Sequence, residues 1–227
     1  MNYLTEIFDF FLPRICPGCG NKLTSVENFI CTKCINKIKP VTKEKHFIEF
    51  ERKFRTNKII SGFNSLYIFE EGKEFQRIMH ALKYRGRFSI GRYLGEQLSK
   101  ILIDKRNEWK IDIIISVPLH QLKKTERGYN QSFYIAKEAG RILNTPVKQN
   151  LLKRKKFTRS QTTMTLAERE ENIRNAFSVK NSKLIKGKNI LIIDDVITTG
   201  ATISECGRIL LKAGANKIYA ASAAIAD

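Results

Sequence analysis

Hydrophobic positions in the second half of the chain alternate between short continuous runs and helical patterns. Residues 111–117 and 188–193 are nearly all aliphatic, which is the pattern of strands covered on both faces. Residues 217–225 form a similar run that is rich in alanine. Between these runs, residues 129–143 and 201–213 place apolar side chains at helical spacing. This alternation predicts an α/β fold, a mostly parallel sheet flanked by helices.

The preceding part of the chain predicts further elements. Residues 63–69 predict a strand, and residues 73–84 and 90–103 predict two helices. The apolar residues 3–12 carry two acids and no basic leader, so they predict a short amphipathic helix on the body rather than a secretory signal. One more helix is expected at residues 167–175.

Composition divides the chain into three parts. Residues 1–40 contain two pairs of cysteines. Residues 41–61 are dense in charge around scattered phenylalanines, which predicts a linker or an irregular cover. Residues 62–227 carry the regular strands and helices. We therefore expect a small N-terminal module, a charged linker and one larger domain.

The cysteine pairs have the spacing of a metal site. Cys16 and Cys19 form one CxxC pair, and Cys31 and Cys34 form the other after eleven intervening residues. Four thiolates at this spacing can surround one Zn²⁺ tetrahedrally and stabilise a unit with little core of its own. An iron–sulfur cluster, disulfides or a redox pair are the alternatives. We expect structural zinc in a reducing compartment, by default the cytoplasm.

The run LIIDDVITTGAT, residues 191–202, leads from a strand into a helix. Asp194 and Asp195 end the apolar stretch, and small and hydroxyl residues follow. The unpaired N–H groups of a helix N-terminus suit a phosphate. Carboxylates would repel that phosphate, so we expect them to accept hydrogen bonds from sugar hydroxyls or to hold hydrated Mg²⁺. An ordinary strand-to-helix turn with an Asp cap is the alternative.

This run resembles the phosphoribosyl-pyrophosphate (PRPP) motif of type I phosphoribosyltransferases. The resemblance implies the type I phosphoribosyltransferase fold for the larger domain. It implies that Asp194 and Asp195 bind the ribose and act in catalysis, while the next residues cradle the 5′-phosphate. The residues implied in PRPP binding here are Val196, Thr198, Thr199, Gly200, Ala201 and Thr202.

Two other runs are similar to ComF-type proteins, the ComFC and GntX branch of phosphoribosyltransferase-like proteins. The first is VPLHQLKKTERGYNQS at residues 117–132, and the second spans residues 154–177. The second run places Gln161, Arg169 and Asn172 at that family's spacing. Lysines stand at positions 123 and 124, where relatives usually have arginine, which keeps the charge but loses bidentate geometry. With the cysteine pairs, the resemblance covers essentially the whole chain.

The resemblance also implies a pyrophosphate site, with Mg²⁺ bound alongside the PRPP. The turn after the strand at 111–117 would meet the pyrophosphate, and the basic stretch 154–159 lies where a mobile hood covers the site in transferases. A diphosphate favours cations close by. The residues implied are Pro118, Leu119, His120, Lys123, Arg127 and Arg154. For each of these cations, a solvated surface charge is an equal alternative. For His120, the alternative is an ordinary turn residue. For Lys83, whose side chain would otherwise face the ligand, the alternative is a favourable contact with the helix dipole.

The chain carries a formal net charge of +19, from 41 Lys and Arg against 22 Asp and Glu. A hydrophobic content of 42% excludes an intrinsically disordered chain, and no stretch has the length of a transmembrane helix. The excess charge attracts polyanions, and aromatics among the basic clusters suit a single strand of nucleic acid. A lysine-rich background without a binding role is the alternative.

The ComF resemblance implies a function. It implies a competence protein that binds PRPP, Mg²⁺ and single-stranded DNA and aids DNA uptake or handling in natural transformation. It also implies a ComFA-type helicase ATPase as partner. The alternative is an active PRPP-dependent phosphoribosyltransferase with an unidentified acceptor, and a third hypothesis is a PRPP-sensing regulator. These hypotheses share one ligand site and differ in whether an acceptor pocket exists.

Overall fold

The computed structural model of the chain describes residues 13–155 and 173–226. The predicted helix at residues 3–12 and most of the one at residues 167–175 lie outside the described residues. The same holds for three residues of the second ComF-like run, Gln161, Arg169 and Asn172.

The described chain contains six strands and seven α-helices. The strands are β1 (Gly62–Phe69), β2 (Ile113–Ser116), β3 (Leu152–Arg154), β4 (Phe177–Val179), β5 (Asn189–Ile197) and β6 (Lys217–Ala226). The helices are α1 (Thr32–Lys37), α2 (Lys43–Phe50), α3 (Glu74–Tyr84), α4 (Phe88–Trp109), α5 (Gln121–Arg127), α6 (Gln131–Ile142) and α7 (Ala201–Lys212). A short π-helix, Glu51–Arg55, continues α2, and a 3₁₀ turn, Ser182–Leu184, precedes β5.

A parallel sheet of four strands in the order β1-β6-β5-β2 lies at the centre. This confirms the predicted parallel sheet and its four strands. Strand β5 runs past the two acids, because Val196 and Ile197 still pair with Ala224 and Ile225 of β6. The acids therefore lie within the carboxyl-terminal part of a strand.

Two hydrophobic clusters cover the two faces of this sheet. On β5, Leu191 and Ile193 belong to the cluster that α3, α4 and α6 cover, whereas Ile190 and Ile192 belong to the cluster that contains α7. Because successive strand side chains point to opposite faces, a continuous aliphatic run supplies both clusters. The cysteine module joins the first cluster through Cys16 and Cys34.

The charged segment 41–61 forms helix α2 and the π-helix. The Thr42 side chain caps α2 by accepting a hydrogen bond from the Lys45 N–H. The buried carboxylate of Glu49 forms ion pairs with Lys45, one turn before it, and with Arg52 and Lys53, one turn after it. Phe54 is fully buried against the sheet. The segment is therefore packed on the larger domain.

Two other differences have local causes. Helix α4 runs to Trp109 because the Trp109 indole stacks on the Tyr219 ring, with centroids 4.6 Å apart. Helix α5 is absent from the sequence prediction because it buries none of its residues and so shows no hydrophobic periodicity. No helix in the two described ranges is long and apolar enough to cross a membrane.

Candidate functional site

Asp194 and Asp195 receive side chains from two helices. The Ser132 hydroxyl on α6 donates to Asp194 Oδ1 at 2.9 Å, and the Gln131 amide donates to Asp195 Oδ2 at 3.2 Å. The Lys83 ammonium at the end of α3 lies 2.8 Å from the same Asp195 oxygen. Oriented hydrogen-bond donors thus hold both acids at the carboxyl-terminal edge of the sheet.

The two carboxyl groups have different electrostatic environments. Burial, and then the negative charge of Asp195, raise the pKa of Asp194 to about 8. Burial would also raise the pKa of Asp195, but the charge and hydrogen bond of Lys83 hold it below its usual range. The pair therefore carries one stable negative charge and one proton that a ligand can displace.

The loop after β5 leads into α7 through a left-handed residue. Gly200 has φ +80° and precedes Ala201, the first residue of α7. The Thr199 hydroxyl accepts a hydrogen bond from the Ala201 N–H at 3.3 Å. A Cβ at Gly200 would lie 2.8 Å from the Phe54 ring, so the π-helix supports this loop from behind. Val196, Thr198 and Thr202 belong to the same strand, loop and first helical turn.

Lys53 of the π-helix also contacts the loop. Its ammonium donates to the Thr198 carbonyl and, at 3.0 Å, to the Ala226 carbonyl at the end of β6. The sequence analysis missed this residue. Oppositely charged residues four apart, such as Glu49 and Lys53 or Glu51 and Arg55, are sequence signals that point to a helix there.

The turn after β2 carries the residues predicted for the pyrophosphate. Pro118 and Leu119 lead to His120, whose Nδ1 caps α5 by accepting from the Leu122 N–H at 3.2 Å. The His120 backbone bridges to that of Arg154, so β3 brings this arginine to the turn. A cavity of about 460 Å³ borders Pro118, Leu119 and Arg154.

Four cations converge between this turn and the acids. Burial, followed by the positive charges of Arg154, Arg127 and Lys83, lowers the pKa of Lys123. The Arg154 guanidinium lies over the Phe177 ring at 5.5 Å. The fold thus collects Lys83 from α3, Lys123 and Arg127 from α5, and Arg154 from β3.

Arg127 connects this cluster to the acids. It donates to the Tyr84 hydroxyl at 3.0 Å and to Oε1 of the Gln131 side chain at 3.2 Å. The Gln131 amide nitrogen in turn donates to Asp195. Gln131 and Ser132 were quoted within the first ComF-like run but given no role, since sequence alone does not show which side chains face β5.

The sulfur atoms of Cys16, Cys19, Cys31 and Cys34 lie within 4.8 Å of one another. Those of Cys19 and Cys31 are 3.7 Å apart. A tetrahedral ZnS₄ unit with Zn–S bonds of about 2.3 Å has sulfur–sulfur edges of ~3.8 Å. The four cysteines are therefore positioned to hold a metal ion, and the geometry fits Zn²⁺.

Backbone N–H groups donate hydrogen bonds to two of these sulfur atoms. The Cys31 N–H donates to the Cys16 sulfur at 3.3 Å, and the Cys34 N–H donates to the Cys31 sulfur at 3.4 Å. Burial opposes ionisation of Cys16, but the backbone N–H groups of Cys31, Cys19 and Gly18 bring its pKa to about 7. Metal binding requires thiolates, so the lowered pKa favours the ligand form of Cys16, whereas burial raises the pKa of Cys31 and of Cys34.

Comparison with known proteins identifies a domain family for part of the chain. Residues 129–226 match the family described as "Phosphoribosyl transferase domain". The matched range contains Gln131, Ser132, the acid pair and the loop at the start of α7. The family assignment and the parallel sheet together confirm the predicted type I phosphoribosyltransferase fold.

Three curated relatives extend the comparison. Competence protein F of Haemophilus influenzae is 32% identical over 62% of this chain and 63% of its own length. DNA utilization protein YhgH of Escherichia coli strain K12 is 26% identical over 88% of this chain and 79% of its own. Competence protein ComFC of Bacillus subtilis is 25% identical over the same shares. The match spans less than two thirds of the Haemophilus protein.

The cysteine cluster, the acid pair and the phosphoribosyl transferase domain occur in one chain whose relatives carry the ComF names. This chain therefore contains a phosphoribosyl transferase domain and is similar to the relatives that carry the ComF names.

Proposed function

We propose that this protein binds PRPP with Mg²⁺ and handles single-stranded DNA, in the role that the names of its competence relatives suggest. One observation carries the PRPP part. The Asp194–Asp195 pair lies on β5 just before the Gly200 loop, and Lys83, which contacts Asp195, is within electrostatic reach of Lys123 on α5. A ribose with a phosphate at one end and a diphosphate at the other matches this order of groups.

In this proposal Asp194 and Asp195 accept hydrogen bonds from the ribose hydroxyls. The N–H groups at the start of α7 and the hydroxyls of Thr198, Thr199 and Thr202 hold the 5′-phosphate. Pro118, Leu119, His120, Lys123, Arg127 and Arg154 surround the diphosphate. Since Lys83 neutralises Asp195 and Asp194 holds a proton at neutral pH, Mg²⁺ is expected on the oxygens of PRPP, where it would neutralise diphosphate charge.

Calorimetric titration with PRPP and Mg²⁺ tests this assignment. Replacing both Asp194 and Asp195 by Asn is expected to abolish PRPP binding and to leave the circular dichroism spectrum unchanged. Asp104→Asn, on the exposed face of α4, is the matched control and should bind as the wild type does. PRPP binding that survives in the double variant contradicts the site.

An active transferase is the alternative function. The bond from ribose C1 to the pyrophosphate would break, the acceptor would bond to C1 with inversion, and its proton would pass to solvent. Cations that stabilise the leaving pyrophosphate suit this chemistry. Incubation with PRPP, Mg²⁺ and a panel of bases, amines and nucleic acids tests it. If no acceptor in the panel leads to pyrophosphate release, the transferase is contradicted. The binding proposal is unaffected by that result.

A basic and aromatic surface beside the cysteine module favours a DNA-binding role. The Tyr84 side chain is 52% exposed, its ring lies 4.8 Å from that of His80, and the Arg127 guanidinium lies 4.9 Å from its centroid. Next to it, a cavity of about 530 Å³ is lined by Arg77, Arg85 and Arg87 against the cysteine module. Stacked aromatics and arginines are the features that bind single strands.

Fluorescence anisotropy with an oligothymidylate tests this surface. Tyr84→Ala is expected to weaken binding by 1–3 kcal/mol, roughly 5- to 150-fold, because a base loses its stacking partner. Phe47→Ala removes a more exposed ring on α2 and is the control. Replacing Arg85 and Arg87 by Gln should reduce the slope of log affinity against log salt by up to ~1.4. Unchanged affinity and slope would contradict this surface.

The competence role and the partner are further parts of the proposal. The relatives are named for competence and DNA utilization. We expect a ComFA-type helicase ATPase to bind this protein in a reducing compartment such as the cytoplasm. Co-purification of the two proteins, repeated with Tyr84→Ala, would show whether the partner shares the proposed DNA surface.

A further inference from the structure

The Lys53 side chain lies behind the loop that precedes α7 and is 4% exposed. An ammonium group has three donors, and three acceptors surround this one. They are the carbonyls of Thr198 and Ala226 and, at 3.1 Å, the carboxylate of Glu49. A buried lysine with charge and hydrogen bonds compensated in this way has a fixed position.

Glu49 supplies the opposite charge beside this lysine. Its side chain is 1% exposed and also contacts Arg52 at 2.7 Å and Lys45 at 3.1 Å. Burial would raise the pKa of Glu49, but the hydrogen bonds from Arg52, Lys53 and Lys45 hold it below its usual range. The carboxylate is thus ionised at neutral pH, and α2 with the π-helix forms a rigid support.

The contact with Thr198 sets the direction of one loop N–H group. The Thr198 carbonyl and the Thr199 N–H belong to the same planar trans peptide, so they point in opposite directions. Because the carbonyl points at Lys53, the Thr199 N–H points away from the π-helix. On the same side of the loop, the Phe54 ring leaves no room for a Cβ at Gly200.

We infer that Lys53 is a positioning residue for the 5′-phosphate site, which it shapes by holding the peptide between Thr198 and Thr199. Lys53 does not contact the ligand itself. The inference rests on the proposed PRPP site and adds to it a segment that the sequence analysis assigned to a linker. It specifies which half of the ligand depends on the π-helix: the half that carries the 5′-phosphate.

Titration with partial ligands tests this division. Wild type, Lys53→Met and Arg52→Met are titrated with ribose 5-phosphate and, separately, with inorganic pyrophosphate and Mg²⁺. Lys53→Met keeps the aliphatic stem and removes the donors. Arg52→Met removes the same charge from the same Glu49 cluster but no contact with the loop. General weakening of the fold would affect both ligands, whereas a misoriented loop peptide affects the phosphorylated sugar.

Lys53→Met is expected to weaken ribose 5-phosphate binding by roughly tenfold or more, because a charge-assisted hydrogen bond orients the loop. Its affinity for pyrophosphate should stay within about twofold of wild type, and Arg52→Met should match wild type for both ligands. Equal loss for both ligands, or no loss for ribose 5-phosphate, would overturn the inference. A wild type that binds neither ligand would overturn the proposed function as well.

Lys53→Arg serves if the Met variant does not fold. A guanidinium keeps the charge but cannot present three donors to the same three acceptors, since its donors lie in one plane. We expect a smaller loss with the same preference for ribose 5-phosphate. In ¹⁵N spectra of this variant, the Thr199 amide should lose its response to ribose 5-phosphate. A wild-type response at this amide would contradict the inference.

Discussion

The Lys83 ammonium on α3 lies 2.8 Å from Asp195 Oδ2 on β5. The Asp195 side chain is 8% exposed, and the positive charge of Lys83 compensates the burial of its carboxylate. Lys83, in the last turn of α3, thus neutralises Asp195 of the proposed ligand site. The contact ties α3, which packs against the cysteine module, to the edge of the sheet where we place PRPP.

Removing Lys83 should destabilise the protein. In Lys83→Met the Asp195 charge stays buried without its cation, which is expected to lower the free energy of unfolding by about 2–4 kcal/mol. Urea denaturation at neutral pH measures this, and adding Asp195→Asn should restore most of the loss. Lys100→Met breaks an exposed pair with Glu96 and should change stability by less than ~1 kcal/mol. Similar small effects for both lysines would contradict the prediction.

Asp194 should make stability depend on pH. Its folded-state pKa is about 8, above the ordinary value of 3.8, so the folded protein binds one proton more than the unfolded chain between these values. The free energy of unfolding should therefore fall as pH rises through this interval, by at most ~1.4 kcal/mol per pH unit.

Asp194→Asn removes this titration. The difference in unfolding free energy, variant minus wild type, should increase in favour of the variant from pH 5 to about pH 8. Urea denaturation across this range measures it, with Asp104→Asn as the control for a surface acid. A difference that is constant with pH would show that the Asp194 carboxyl ionises normally in the folded protein.

The cysteine cluster should bind one Zn²⁺ per chain. Cys34→Ser is expected to lose the ion and at least ~2 kcal/mol of stability, which corresponds to a drop of ~4–8 °C in the thermal midpoint for a chain of this size. Elemental analysis and calorimetry measure both quantities. Cys206→Ser alters a buried thiol in α7, outside the cluster, and should keep the metal. A metal-free wild type purified under reducing conditions would contradict the zinc site.

Gly200→Ala should disturb the loop for two separable reasons. A side chain at φ +80° costs about 1 kcal/mol or more, and its Cβ would also meet the Phe54 ring. Adding Phe54→Leu should relieve the steric part, so the double variant should lose less stability than the two single losses combined. Urea denaturation and ribose 5-phosphate titration measure the two effects. Additive losses would show that Phe54 does not press on this loop.

Several features follow from the sequence because their signals are local. The continuous aliphatic runs predict strands covered on both faces, and the parallel sheet confirms them. The CxxC pairs predict a metal cluster, since four ligands within a short chain need little help from the rest of the fold. The acid pair and Gly200 loop are contiguous, so their order alone indicates a phosphoribosyl site.

The sequence by itself therefore determined the parallel sheet and the cysteine cluster, and it predicted the chemistry of the acid pair. The tertiary structure decided which distant side chains serve them. Lys53 and Thr198 are 145 residues apart, and Gln131 and Asp195 are 64 apart. Such contacts depend on how helices pack on the sheet, and the hydrophobic periodicity of the sequence does not predict them. Residues 41–61 have the charge density of a linker, but they form helical structure that packs against the loop before α7. The physical reason is that the buried carboxylate of Glu49 pairs with the cations of this segment.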